Sequence, residues 1–346
     1  MAKRSKKKFS ILKLISIVLG SIVLIFCLLI GGIASYDAIA FSSFYKEARK
    51  EFRIPGLGTG FTPQGLAYSK EEKVFIGSGY DKSNNETILY VINDKDNTSK
   101  EVRLTYNNKN YKGHAGGIAI HNDDVFISNG GYVYILSLSD VLKSSATERA
   151  VVKNRFKVFV NASFCFAGDD ALYVGEFYDA KNGYNTHYSH HVEGKDYDNH
   201  ALIMKYPYEL VSLGTLTSVQ PIPTCAYSVC DKVQGVAISP SGKMALSTSW
   251  GLNNSHIYIH NIKDLSGEII NYKYDKDDKD DKEESLPLYT YILNSSTLEK
   301  DVVAPPMAEE LEYIDGRIYI FNESACNKYI FGKFTRAKNV YSYPMA

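Results

Sequence analysis

Apolar and polar positions fall into three regimes along the chain. Leu14 to Tyr36 is a run of 23 positions without a charge, long enough as a helix to cover the ~30 Å hydrocarbon core of a bilayer. Asp37 to Phe52 reads as a short amphipathic stalk. Everything after it alternates short apolar strands with polar turns. Five segments share one layout: an opening strand, a turn rich in Gly, Asp, Asn or Ser, and a second strand. They open at Gln64-Gly65-Leu66, Gly116-Gly117-Ile118, Ala162-Ser163-Phe164, Gln234-Gly235-Val236 and Glu309-Glu310-Leu311. Third strands are predicted at Ile88–Ile92, Tyr132–Leu136, Leu202–Tyr206, Ile257–His260 and Tyr329–Phe331. Lys157–Val160 and Tyr289–Leu293 are candidate fourth strands. Val141–Val152 reads as a short helix or a loop.

Tandem four-stranded units predict an all-β chain folded as a β-propeller, with one N-terminal transmembrane helix. The openings at Gly65, Gly117, Ser163, Gly235 and Glu310 give five blades. A sixth arises if Leu213–Thr224 belongs to an extra one. The last two spacings exceed the ~40–50 residues of a blade, which places insertions at Asp179–His200 and Asn271–Ser285. The charge run Asp275–Glu284 in the second reads as a solvated loop. The expected organisation is a basic cytoplasmic segment 1–13, an anchor 14–36, a stalk 37–52 and a propeller ectodomain 53–346.

Charge refines this picture. The chain carries 39 Lys+Arg and 39 Asp+Glu, for a net charge of zero. Six of the basic residues (Lys3, Arg4, Lys6, Lys7, Lys8, Lys13) precede the first acid, Asp37, leaving 33 basic and 39 acidic groups, a net of −6. A basic cluster before an apolar span stays in the cytoplasm, so the remainder is expected outside, on a single-pass anchor in the cell membrane. The apolar run is too long for a cleaved signal peptide, although Ala38-Ile39-Ala40 has the small-residue pattern of a cleavage site. A net-acidic ectodomain excludes phosphate-driven nucleic-acid binding. The 27 Tyr and 16 Phe favour strands. Cys165, Cys225, Cys230 and Cys326 lie outside the anchor, and Cys225 with Cys230 is able to close a small loop.

Hairpin geometry locates candidate chemistry. The start of each first strand and the end of each second strand lie at the same end, so they meet on one rim of the channel. Starts contribute Gln64, His114, Asn161, Gln234, Glu309 and Glu310. Ends contribute Tyr80, Asp81, Asn129, Glu176, Tyr178, Ser249, Trp250 and Glu323. Convergent polar groups at a concave mouth mark a site. Glu176 and His114 are the candidate acid–base pair. Gln64, Asn161, Gln234, Trp250, Glu310 and Glu323 are the candidate ligand-binding residues. Of the adjacent Glu309 and Glu310, strand alternation lets one point inward. His187, His190 and His191 sit in an insertion beside this face. No motif fixes a metal or a cofactor, and there is no serine elbow, phosphate loop or HExxH pair. The expected function is binding of a small polar ligand, glycan or peptide at the channel mouth. The alternatives are a propeller enzyme (a lyase, hydrolase or cyclotransferase) and a scaffold for an envelope protein.

Phe61-Thr62-Pro63-Gln64-Gly65-Leu66, followed by Ser78-Gly79-Tyr80, resembles the opening blade of plant and bacterial glutaminyl cyclotransferases. The resemblance covers about one blade. It implies a five-bladed propeller and closure of N-terminal glutamine to pyroglutamate. The chain departs from that family at Gly116-Gly117-Ile118, where the family has Glu-Gly-Leu, and in having a single Trp, Trp250, where the family's pocket is Trp-rich. The ectodomain as a whole resembles extracytoplasmic propellers of Gram-positive bacteria.

Overall fold

The structure, a computed structural model, describes residues 11–217, 219–275, 283–329 and 331–345. Ile11–Ala40 is one 30-residue helix, long and apolar enough to cross a membrane. At 1.5 Å per residue it measures about 45 Å, more than a bilayer core needs. From Ile30 onward one face is covered: Ile30, Ile33 and Ala38 are half-buried and Asp37 is buried. Asp37 tolerates burial because its carboxylate accepts hydrogen bonds from Tyr45 Oη at 3.0 Å and from the Arg336 N–H at 3.2 Å. The segment 37–52 supplies this helix end, a second helix Ser42–Glu47, and the start of a strand, Arg49–Arg53. Phe44 on the second helix stacks on Tyr343 at 5.6 Å. The residues of the basic cluster before Ile11 lie outside the described residues.

The remainder is mostly β-sheet, arranged as a propeller-like fold. The five expected hairpins are Phe61–Ser69 with Val74–Asp81, Gly117–His121 with Asp124–Ser137, Asn154–Ala167 with Ala171–Glu176, Val233–Ile238 with Lys243–Thr248, and Ala308–Ile314 with Arg317–Asn322. Their opening strands touch in a circuit: first with second, second with third, third with fourth, fourth with fifth, and fifth with first. Glycine permits this approach. A Cβ on Gly65 would stand 2.9 Å from the Ile118 nitrogen, and one on Gly117 would stand 2.4 Å from the Cys165 nitrogen. A Cβ on Gly235 would meet the Glu310 Cα at 2.7 Å.

Further strands extend each hairpin outward. Thr87–Asn93, Ala201–Pro207 and Ser255–Asn261 are third strands as expected. The fifth unit departs from expectation: its third strand is Asn339–Pro344, and Phe331–Phe334 is a 3-10 turn. Its outermost strand is Arg49–Arg53 from the other end of the chain. Asn154–Ala167 serves two units, pairing with Asp124–Ser137 through its first half and with Ala171–Glu176 through its second. Two other expectations change. The region Leu213–Thr224 supplies no strand among its described residues, because Tyr208–Thr217 is a helix. Tyr289–Ile292 belongs to the hairpin Glu268–Asp275 and Glu283–Ile292, which adds to the outer edge of the third unit, parallel to Cys225–Val229. The middle of the charge run, 276–282, lies outside the described residues. Cys27, Cys165, Cys225, Cys230 and Cys326 are all free thiols. Cys225 lies on a strand that ends just before Cys230, which holds the two apart.

Candidate functional site

The opening strands carry a device that aims side chains at the rim. Their pairing slips by one residue between Pro63 and Gly65, Ala162 and Phe164, Val233 and Gly235, and Ala308 and Leu311. Each slip is a β-bulge, which re-aims the extra residue. The bulged residues are Gln64, Ser163 and Gln234, with Glu309 and Glu310 in the fifth unit. All except Glu310 line one cavity of about 320 Å³. His114, Asn129, Asn161, Trp250 and Glu323 line it too. The turns entering it are strained at Ala115 (φ +50°) and Met307 (φ +60°), left-handed positions that cost a residue with a Cβ about 1 kcal/mol or more.

One wall is aromatic. The Trp250 ring lies 5.7 Å from Phe177 and 5.4 Å from Tyr184. The cavity is also lined by a charged cluster. Lys328 Nζ donates to Tyr80 Oη at 2.9 Å and to Glu323 Oε1 at 3.3 Å. Tyr329 Oη donates to Glu323 Oε2 at 3.3 Å. Burial raises the Glu323 pKa and the Lys328 ammonium opposes that rise. Glu309 is 4% exposed. Burial, and then the charge of Glu323, holds its pKa well above the usual carboxylate range. Burial and then the Lys328 charge lower the His114 pKa. Its surface stays in contact with water at the mouth, which limits that effect. The ring rests on Tyr80 at 4.6 Å, and its backbone N–H donates to Asn129 Oδ1 at 2.9 Å.

Of the residues expected at the site, the fold gathers Gln64, His114, Asn161, Gln234, Trp250 and Glu323. It does not bring Glu176 among them. Glu176 is 1% exposed, and its Oε1 lies 2.7 Å from His190 Nδ1 and accepts the Leu202 N–H at 3.1 Å. Its Oε2 accepts the Asn161 N–H at 3.4 Å. An acid at the end of an apolar strand is here satisfied by two backbone N–H groups of its own unit and by His190 from the insertion. Glu310 is also absent from the cavity: its Oε2 accepts the Ile118 N–H at 3.1 Å. As strand alternation leads one to expect, the two point to different sides, and with the bulge between Ala308 and Leu311 it is Glu309 that lines the cavity while Glu310 lies against the second unit. Glu309, and not the Glu310 expected among the ligand-binding residues, lines the cavity. Lys328 and Tyr329 were missed, because they lie in the long segment between the second and third strands of the fifth unit.

The histidines of the insertion are held locally. His187 Nε2 lies 3.3 Å from Glu283 Oε1, and His191 Nε2 lies 3.2 Å from Thr186 Oγ1. Glu193, Asp198 and His200 each offer one ligand atom within 4.8 Å of the others and could hold a cation. None of these three lines the cavity.

Comparison with known proteins adds little to this geometry. No family model matches the chain, and no curated protein matches it. Among solved structures it is similar to Myxococcus xanthus glutaminyl cyclase, at 8% identity and a TM-score of 0.42, over 85% of this chain and 94% of that one. It is similar to the PQQ-bound aldose sugar dehydrogenase of Streptomyces coelicolor, at 12% identity and a TM-score of 0.42, over 86% and 97%. It is also similar to Kuenenia stuttgartiensis hydrazine synthase, at 11% identity and a TM-score of 0.35, where it covers 78% of its own length and spans 58% of that chain. At these TM-scores the likenesses carry no argument about activity.

Proposed function

We propose that the chain is a closed five-bladed propeller, tethered outside the cytoplasmic membrane by its N-terminal helix, whose cavity binds a small polar ligand such as a sugar or a short peptide. One observation carries this reading: all five units contribute side chains to a single cavity, through Gln64, His114, Ser163, Gln234 and Glu309. Amides and hydroxyls recognise a ligand's polar groups, and an aromatic wall stacks on its flat face. The basic N-terminus supports the orientation. The test is a titration of Trp250 fluorescence in the full chain with free sugars and short peptides, repeated with Gln234→Ala. Saturable change in the parent and its loss in the variant are expected. No response to either class, or an identical response in the variant, rejects the reading.

A second reading is favoured by Glu309. A buried carboxyl with a raised pKa, near a Lys328–Glu323 ion pair, suits a proton donor placed next to a charge that stabilises an anion. The reading then becomes an enzyme of acid–base type. Incubation of the same panel followed by mass spectrometry separates the two, since Glu309→Gln should still bind but no longer convert its ligand.

A further inference from the structure

Two loops frame the mouth of the cavity, and both reach the N-terminal helix. The first follows Trp250: Asn254 Oδ1 accepts from Tyr36 Oη at 3.5 Å. The second runs from Glu323 to Lys338. It starts in the cavity with Glu323, Lys328 and Tyr329. It then passes to the helix, where the Phe334 ring meets Phe26 edge-on at 6.3 Å and the Arg336 N–H donates to Asp37. The cavity mouth and the anchor therefore share one face of the domain.

Helix length sets the depth of that face. Counted back from Ile30, a ~30 Å hydrocarbon core takes 20 residues and reaches Ile11, one turn beyond the uncharged run, where the Lys13 side chain snorkels to the inner headgroups. The packed face of the helix begins at Ile30. Phe26 then lies about 6 Å below the outer boundary, and Phe334 against it lies at the interface, where aromatic rings settle. The loop's composition suits that position. Ser324 to Lys338 contains Lys328, Lys333, Arg336 and Lys338 and no acid, in an ectodomain that is otherwise net acidic. Lys333, Arg336 and Lys338 are exposed. Basic residues near an anionic leaflet contribute about 1 kcal/mol each. In the other loop, Leu252, two residues after Trp250, is 63% exposed.

We propose that the cavity mouth faces the outer membrane surface, with the 324–338 loop docked on anionic headgroups, so that the cavity takes the polar headgroup of a membrane lipid. This rests on the reading of the cavity as a ligand site and of the helix as an anchor. Free solute would have to enter through the gap between the domain and the bilayer, whereas a lipid diffuses to the mouth in the membrane plane.

Trp250 is the only Trp, so the full chain carries its own probe. It is reconstituted in vesicles of phosphatidylglycerol and phosphatidylcholine containing lipid spin-labelled at the headgroup. Trp250 fluorescence should be quenched several-fold more than that of a Trp250→Phe/Ser241→Trp variant, whose probe sits in a turn at the far end of the fourth hairpin. Equal quenching, or none at Trp250, overturns the docking. Arg336 also pairs with the buried Asp37 at 3.8 Å, so it is left in place; reversing Lys333 and Lys338 to Glu should release the quenching while the chain still floats with the vesicles. Unchanged quenching overturns the electrostatic part. A phosphatidylglycerol with a photoreactive headgroup should label peptides that line the cavity, and labelling confined to other peptides overturns the ligand assignment. Saturable binding of free sugars or peptides without headgroup labelling would leave the cavity a ligand site and sink only this proposal.

Discussion

Glu310 Oε2 accepts a hydrogen bond from the backbone N–H of Ile118 at 3.1 Å, across 192 residues of sequence. The bond ties the opening strand of the fifth unit to that of the second, at the centre of the circuit of opening strands. Its other carboxyl oxygen, Oε1, is buried without a partner among the described residues. Glu310→Ala should leave the Ile118 N–H unsatisfied and lower stability by about 1–3 kcal/mol. Chemical denaturation measures it. A stability-neutral variant would show that the bond contributes nothing.

Glu310 and Glu309 also set a pH dependence. Burial is the main cause of the raised pKa in both, with the Glu323 charge adding to it at Glu309 and the Ile118 bond opposing it at Glu310. The unfolded chain releases these protons above about pH 4 while the folded chain keeps them. Unfolding therefore releases protons, and stability should fall as pH rises from about 4 toward the folded pKa values, by up to about 1.4 kcal/mol per pH unit for each group. The double variant Glu309→Gln/Glu310→Gln should flatten this slope between about pH 5 and 7. A wild-type melting temperature that rises over that window contradicts the assignment.

Glu176→Gln tests a structural role. The carboxylate takes two backbone N–H groups and faces His190. An amide turns one N–H toward a donor, so stability should drop by about 1–3 kcal/mol. Ligand response at Trp250 should persist. Loss of that response at unchanged stability would return Glu176 to the site.

Gly117→Ala tests the closeness of the opening strands. The new methyl would stand 2.4 Å from the Cys165 nitrogen and 2.6 Å from Glu310 Oε2. Backbone on one side and a buried carboxylate on the other leave little room to yield. The expected loss is about 1–3 kcal/mol in a thermal melt. Gly131→Ala, with nothing within 4 Å of its new methyl, serves as the control. Equal melting temperatures for the two would refute the packing argument.

Phe52→Ala probes the strand contributed by the N-terminal segment. Phe52 is 4% exposed and its ring lies 4.8 Å from Phe75 in the first unit. Its removal should cost about 3–5 kcal/mol. Unfolding should remain a single transition, because Arg49–Arg53 belongs to the fifth sheet while its Phe52 packs on the first. A separate low-temperature transition would show instead that this strand melts alone.

The sequence by itself determined the local elements. Alternation of apolar and polar residues defines the five hairpins, since each buries its faces between neighbours and turns at Gly, Asp or Asn. The glycines at the strand openings mark close backbone approach, and Gly65, Gly117 and Gly235 are found there. The apolar run at the N-terminus is a helix because in that composition nothing else satisfies its backbone. What the tertiary structure alone decided was where non-local partners go. Arg49–Arg53 looks like a stalk until Asn339–Pro344 offers it an edge. Tyr289–Leu293 reads as a fourth strand, and Tyr289–Ile292 joins the outer edge of the third unit as part of a hairpin of its own. Lys328 and Tyr329 reach the cavity only through a loop whose path no periodicity encodes. Alternation parts Glu309 from Glu310, but which of them faces the cavity goes with a bulge, and a one-residue slip in pairing depends on both strands at once, which a pattern read along one of them does not contain.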